Sequence, residues 1–220
     1  MQQTFETLHP QAFHPPAALA LPTFGEIEDS IALWSERDPR LAALFAQGAP
    51  PVKALRFFGL KLWEEGRNDF AVEVLLAAAS LAPGEAVLWN DIAGACYAAS
   101  RREDAAASMT ASLARNGAQP RGWLFLAMIH NDGQEFAAAE QAYLQALALD
   151  PGLADASFGL GLLCFRQRRF EEAVTRMRKA ISQGNETLAA RACLGQALYL
   201  LGDFSAAAEA FAMQASLSPA

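Results

Sequence analysis

The feature that most constrains this chain is an internal period. From Val52 onward it can be laid out in blocks of 34 residues without an insertion: 52–85, 86–119, 120–153, 154–187 and 188–220. Numbering each block from 1, position 20 holds Ala71, Ala105, Ala139, Ala173 and Ala207, and position 8 holds Gly59, Ala93, Ala127, Gly161 and Gly195. A small residue at a fixed place in every copy marks a close crossing of two helices. Position 7 is large throughout (Phe58, Ile92, Leu126, Leu160, Leu194), as is position 24 (Leu75, Met109, Tyr143, Met177, Phe211), so large and small alternate as close packing requires. Position 32 carries Pro83, Gly117, Pro151, Asn185 and Pro219, all turn or helix-stop residues.

Each copy therefore reads helix, turn, helix, stop. Composition agrees, because alanine runs such as Ala77-Ala78-Ala79 and Ala206-Ala207-Ala208 are strong helix formers and strand-forming residues are sparse. With 53% hydrophobic residues the chain can bury a substantial core.

These columns resemble the tetratricopeptide repeat family, whose helix-turn-helix unit has large residues at positions 4, 7, 11 and 24, small ones at 8, 20 and 27, and proline at 32. The third block fits best, with Trp123, Leu126, Ala127, Ala139, Tyr143, Ala146 and Pro151; the fifth departs furthest, with Arg191 at position 4 and Gln214 at position 27. The resemblance implies an all-α, right-handed α-solenoid of tandem repeats. It also implies a scaffold or adaptor that binds a protein or peptide rather than an enzyme.

Two further helices are expected ahead of the array, over residues 23–51, after a Pro-rich and poorly ordered leader over 1–22. Thr23-Phe24-Gly25-Glu26 reads as a capping box, and Ile27, Ile31 and Trp34 then share one helical face. Asp38-Pro39 opens a second helix with Leu41, Leu44 and Phe45, which Gly48, Pro50 and Pro51 stop. The repeat rule that ends need capping makes these helices a cover for the first repeat, with occupation of the binding groove as the alternative. At the other end, Ala208, Phe211, Ala212, Ala215 and Leu217 form more apolar surface than an end helix leaves to water. Self-association through Phe211 and Leu217, or a natural chain that continues past Ala220, is the expectation.

By the same resemblance, positions 2, 5, 6, 9, 12 and 13 line the concave face. That set is apolar in Phe57, Leu60, Trp63, Tyr97, Leu124, Phe125, Met128, Phe158, Leu162, Phe165 and Tyr199. Lys53, Arg56, Asn90, Asp91, Arg121, Asn131, Asp132, Asp155 and Arg166 are its polar members. Aromatic groups give large contact area at low entropic cost, so a groove for an amphipathic helix or extended apolar peptide is expected, in a chaperone-like role. The carboxylate clamp of co-chaperone relatives is not matched, since Arg56, Leu60, Asp91, Arg121 and Phe125 stand where it needs Lys, Asn, Asn, Lys and Arg. The other reading is an N-terminal recognition module of a larger methyltransferase- or glycosyltransferase-type enzyme.

Other chemistry is not expected. The net charge of −7 argues against a nucleic-acid partner, because phosphate affinity rests on excess Lys and Arg. The Arg166, Arg168, Arg169, Arg176, Arg178 and Lys179 run is interspersed with Glu171 and Glu172 and reads as a solvated face. Cys96, His130 and Cys164 recur at position 11, but helix spacing of about 8–10 Å is too wide for shared metal ligation, so they read as packing residues. No cofactor motif, signal peptide or run of about 18 apolar residues is present, and a cytoplasmic protein with no membrane partner is expected.

Overall fold

The computed structural model describes residues 19–217, with side chains through Met213. Most of the leader, and the side chains of Ala215 and Leu217, thus lie outside the described residues; Leu19, near the leader's end, is fully buried. Twelve α-helices and no strands occur among the described residues. α1 (Phe24–Arg37) and α2 (Pro39–Ala46) come first. Five hairpins follow: α3 (Pro51–Glu64) with α4 (Asn68–Leu81), α5 (Ala86–Ala98) with α6 (Arg102–Arg115), α7 (Pro120–Asp132) with α8 (Phe136–Leu149), α9 (Ala154–Arg166) with α10 (Phe170–Ser182), and α11 (Leu188–Leu200) with α12 (Phe204–Leu217). They fall into two compact units, Met1–Gly117 and Ala118–Ala220.

One device makes every hairpin. Position 15 takes the left-handed conformation in all five turns: Gly66 (φ 76°), Ser100 (60°), Gln134 (60°), Arg168 (62°) and Gly202 (83°). The N–H of the next residue then donates to the carbonyl at position 11, from Arg67 to Leu62 at 2.9 Å through Asp203 to Leu198 at 3.0 Å. These are the long hydrogen bonds of the Schellman helix stop, which satisfies carbonyls the helix end would leave open.

Packing within a hairpin follows from positions 8 and 24. A Cβ on Gly59 would lie 2.8 Å from Leu75, and one on Gly195 would lie 2.6 Å from the Phe211 ring. The missing side chain is the space the large one fills. In the second hairpin Trp89 is wholly buried; its Nε1–H donates to the Pro83 carbonyl at 3.1 Å, and the Arg115 guanidinium lies 4.7 Å from its ring centroid.

α1 packs against α2 and α4, and α2 against α3. Trp34 meets Phe70 edge to face at 5.8 Å, and Phe70 in turn meets Phe58 at 6.0 Å. Asp38, itself buried, accepts from the Arg40 guanidinium at 2.6 Å, and Arg40 also pairs with Glu65 beyond the end of α3. That hydrogen bond holds the Asp38 carboxyl below the usual carboxylate range. The capping box of α1 is formed: the Thr23 N–H donates to Glu26 at 2.7 Å, and Thr23 Oγ1 accepts from the Glu26 N–H at 3.4 Å. Thr23→Ala is expected to destabilise α1 by about 1 kcal/mol. Amide hydrogen exchange reads this directly, and unchanged protection in the first turn of α1 would contradict it.

Candidate functional site

In the first unit the residues expected to bind sit on α3 and α5. Lys53 and Phe57 are exposed, Phe57 at 52%, while Arg56, Leu60, Trp63, Asn90, Asp91 and Tyr97 are half-buried. Arg56 Nε donates to Asp91 Oδ2 at 2.6 Å, so two of the expected ligand-orienting charges bridge α3 and α5. Trp63 is also engaged. A Cβ on Gly94 would lie 2.3 Å from its Cη2, which places the indole edge in a notch on the next hairpin.

Phe57 is the most open aromatic side chain of this set. It stands beside a cleft of about 300 Å³ between α2 and α3, lined by Ala43, Leu44, Gln47, Phe57, Phe58 and the two cations Arg40 and Lys61. Lys61 Nζ lies 5.8 Å from the Phe57 ring centroid. The α2 wall of this cleft precedes the first block, so reasoning from repeat positions missed it. Its apolar stripe, Leu41, Leu44 and Phe45, was the available signal.

In the second unit Met128 is 41% exposed on α7 and Tyr199 60% exposed on α11. Arg121, Asp132, Asp155 and Arg166 are also exposed, whereas Leu124, Phe125, Asn131, Phe158, Leu162 and Phe165 are half-buried. Arg166 donates to Asn131 Oδ1 at 3.2 Å, tying α9 to α7. Phe165 meets Phe170 edge to face at 5.6 Å. Within each unit the first helices thus present a half-buried apolar surface, laced by polar pairs between neighbours and with single residues standing open.

The basic run is not uniformly solvated. Arg169 is half-buried and pairs with Glu140 at 2.8 Å, from the α9–α10 turn to α8. Cys96 and Cys164 are buried packing residues, and burial pushes the Cys96 thiol up to about 12. His130 departs from that expectation: it is half-buried, with Nδ1 2.5 Å from Glu135 Oε2. The His130 side chain reaches forward past the turn to an exposed carboxylate, so its polar edge stays at the surface. No group of three His, Cys, Asp or Glu converges as a metal site among the described residues.

The sequence matches the tetratricopeptide repeat family over residues 90–154, 134–186 and 158–219. The chain belongs to that family, and its repeats form a scaffold for protein–protein interaction. Among solved structures it is similar to a MamA protein at 20% identity, covering 77% of this chain and 97% of that one with a TM-score of 0.71. Residues 41 to the end of MamA from Desulfovibrio magneticus RS-1 match at 18% identity, with 77% and 96% covered and a TM-score of 0.71. PilF from Pseudomonas aeruginosa matches at 17% identity, with 77% and 78% covered and a TM-score of 0.67. At these identities the likeness shows the fold alone. No curated protein gives a significant sequence match.

Proposed function

We propose that this chain is a non-catalytic adaptor that holds an apolar peptide or amphipathic helix on its first-helix face, with Phe57 as the principal anchor in the first unit. The observation that supports this is the pairing of a half-open phenylalanine with an apolar cleft next to it. A large side chain from a ligand can enter the cleft while Phe57 covers it, the arrangement of buried anchor and pocket that concentrates binding energy. Arg40 and Lys61 at the rim are paired with Asp38, Glu65 and Glu64, so the cleft favours an uncharged apolar side chain. In the second unit Met128, Leu124 and Phe125 offer a further apolar contact of the same kind.

Such binding is chaperone-like in that it selects apolarity rather than a fixed sequence. Three free thiols, two of them buried, fit a reducing compartment such as the cytoplasm. No helix among the described residues is long and apolar enough to cross a membrane.

Fluorescein-labelled amphipathic helical peptides test the proposal by anisotropy. Phe57→Ala is expected to weaken binding about tenfold or more, on the scale of an aromatic hot spot. Because Phe57 is exposed, its loss leaves the fold intact, which far-UV circular dichroism checks. Equal affinity of the parent and the Phe57→Ala protein for every peptide would move the site elsewhere.

A further inference from the structure

Position 24 changes its surroundings along the second unit. Tyr143 on α8 and Met177 on α10 are 3% and 0% exposed, but Phe211 on α12 is 38% exposed. Inside the unit the next first helix covers this position: a Cβ on Gly159 of α9 would lie 2.5 Å from the Tyr143 ring. The aromatic pair at positions 12 and 17 shows the same contrast. Phe165 and Phe170 are half-buried, while Tyr199 and Phe204, in edge-to-face contact at 5.3 Å, are 60% and 62% exposed. The surface that each hairpin gives to its neighbour is open on α11 and α12.

We infer that this surface binds a second copy of the same chain through α12, in an antiparallel two-fold contact centred on Ala208. Phe204, Ala208, Phe211 and Ala212 are all exposed and form one stripe at helical spacing. An isologous interface must be complementary to itself. This stripe is: pairing about Ala208 lays each Phe204 over Ala212 of the other copy and each Phe211 over Ser205. Ala208 meets Ala208 at the axis, where a small residue lets the helices approach closely. The stripe carries no charge, so its own image brings no repulsion. Large side chain over small residue is the same complementarity that seats Tyr143 on Gly159, here supplied between molecules.

Sedimentation equilibrium of the whole chain tests this. The mass is expected to rise with concentration from 23.6 kDa to twice that value and to level there. Ala208→Glu puts two carboxylates together at the axis and is expected to weaken the dimer at least about a hundredfold. Mixing Ala208→Glu with Ala208→Lys is expected to restore it as a heterodimer. Both substitutions are at an exposed helical position, and circular dichroism reports whether α12 persists.

A mass of 23.6 kDa at every concentration overturns the inference. Growth beyond the dimer does so too, since it points to head-to-tail contact, as does a dimer indifferent to Ala208→Glu. A dimer lost only when residues 1–18 are removed assigns the contact to the leader and overturns it as well.

Discussion

Trp89→Ala is expected to lower the unfolding free energy by about 3–5 kcal/mol, the largest loss available from a single truncation in the first unit. The side chain is fully buried, so its removal forfeits the transfer energy of a full indole and leaves a cavity among residues held by helix backbones. Two contacts fail with it. The Pro83 carbonyl at the helix stop loses the indole N–H at 3.1 Å, though the Arg115 Nε still donates to it at 2.5 Å. Arg115, whose pKa burial already lowers, loses the ring face that compensates part of its desolvation. Urea denaturation followed at 222 nm reads the loss, and a midpoint within error of the parent would contradict it.

Gly94→Ala sets two opposed effects against each other. Alanine in a helix is worth about 1 kcal/mol over glycine, which alone would stabilise α5. The added Cβ, however, falls 2.3 Å from Trp63 Cη2 and 2.8 Å from Cζ2, well inside contact distance. Trp63 is half-buried between hairpins and a rigid ring cannot bend away from one methyl. Overpacking of this sort costs about 1–3 kcal/mol, so the net change is expected to be destabilising. A double-mutant cycle isolates the cause. In a Trp63→Leu background the clash is gone, and Gly94→Ala is expected to become neutral or stabilising. If it destabilises equally in both backgrounds, the indole is not the obstacle.

These two residues also show where sequence reasoning succeeded and where it stopped. The period, the helix stops and the small-against-large columns were legible because they repeat: Gly59 with Leu75, Gly161 with Met177 and Gly195 with Phe211 are the same contact met three times. Trp63 reads as a groove residue because position 12 lies on the inner face by family resemblance. What draws its ring into the next hairpin is Gly94 at position 9, a pairing that occurs once and cannot be seen in a column. Arg56 and Asp91 are a similar case, since each was legible as a polar groove residue but their 2.6 Å pairing depends on how two helices align. The α2 wall of the Phe57 cleft lay outside the period altogether.

The five left-handed turns differ in what they cost the backbone. A side chain in that conformation costs about 1–2 kcal/mol, which glycine avoids. Ser100, Gln134 and Arg168 carry that strain in the second, third and fourth repeats, while the first and fifth turn on Gly66 and Gly202. Glycine in place of any of these three removes that strain, whereas alanine in place of Gly66 or Gly202 introduces it in turns that are now free of it. The same hairpin geometry is therefore held at two different local costs, and backbone ease is a property of the individual turn.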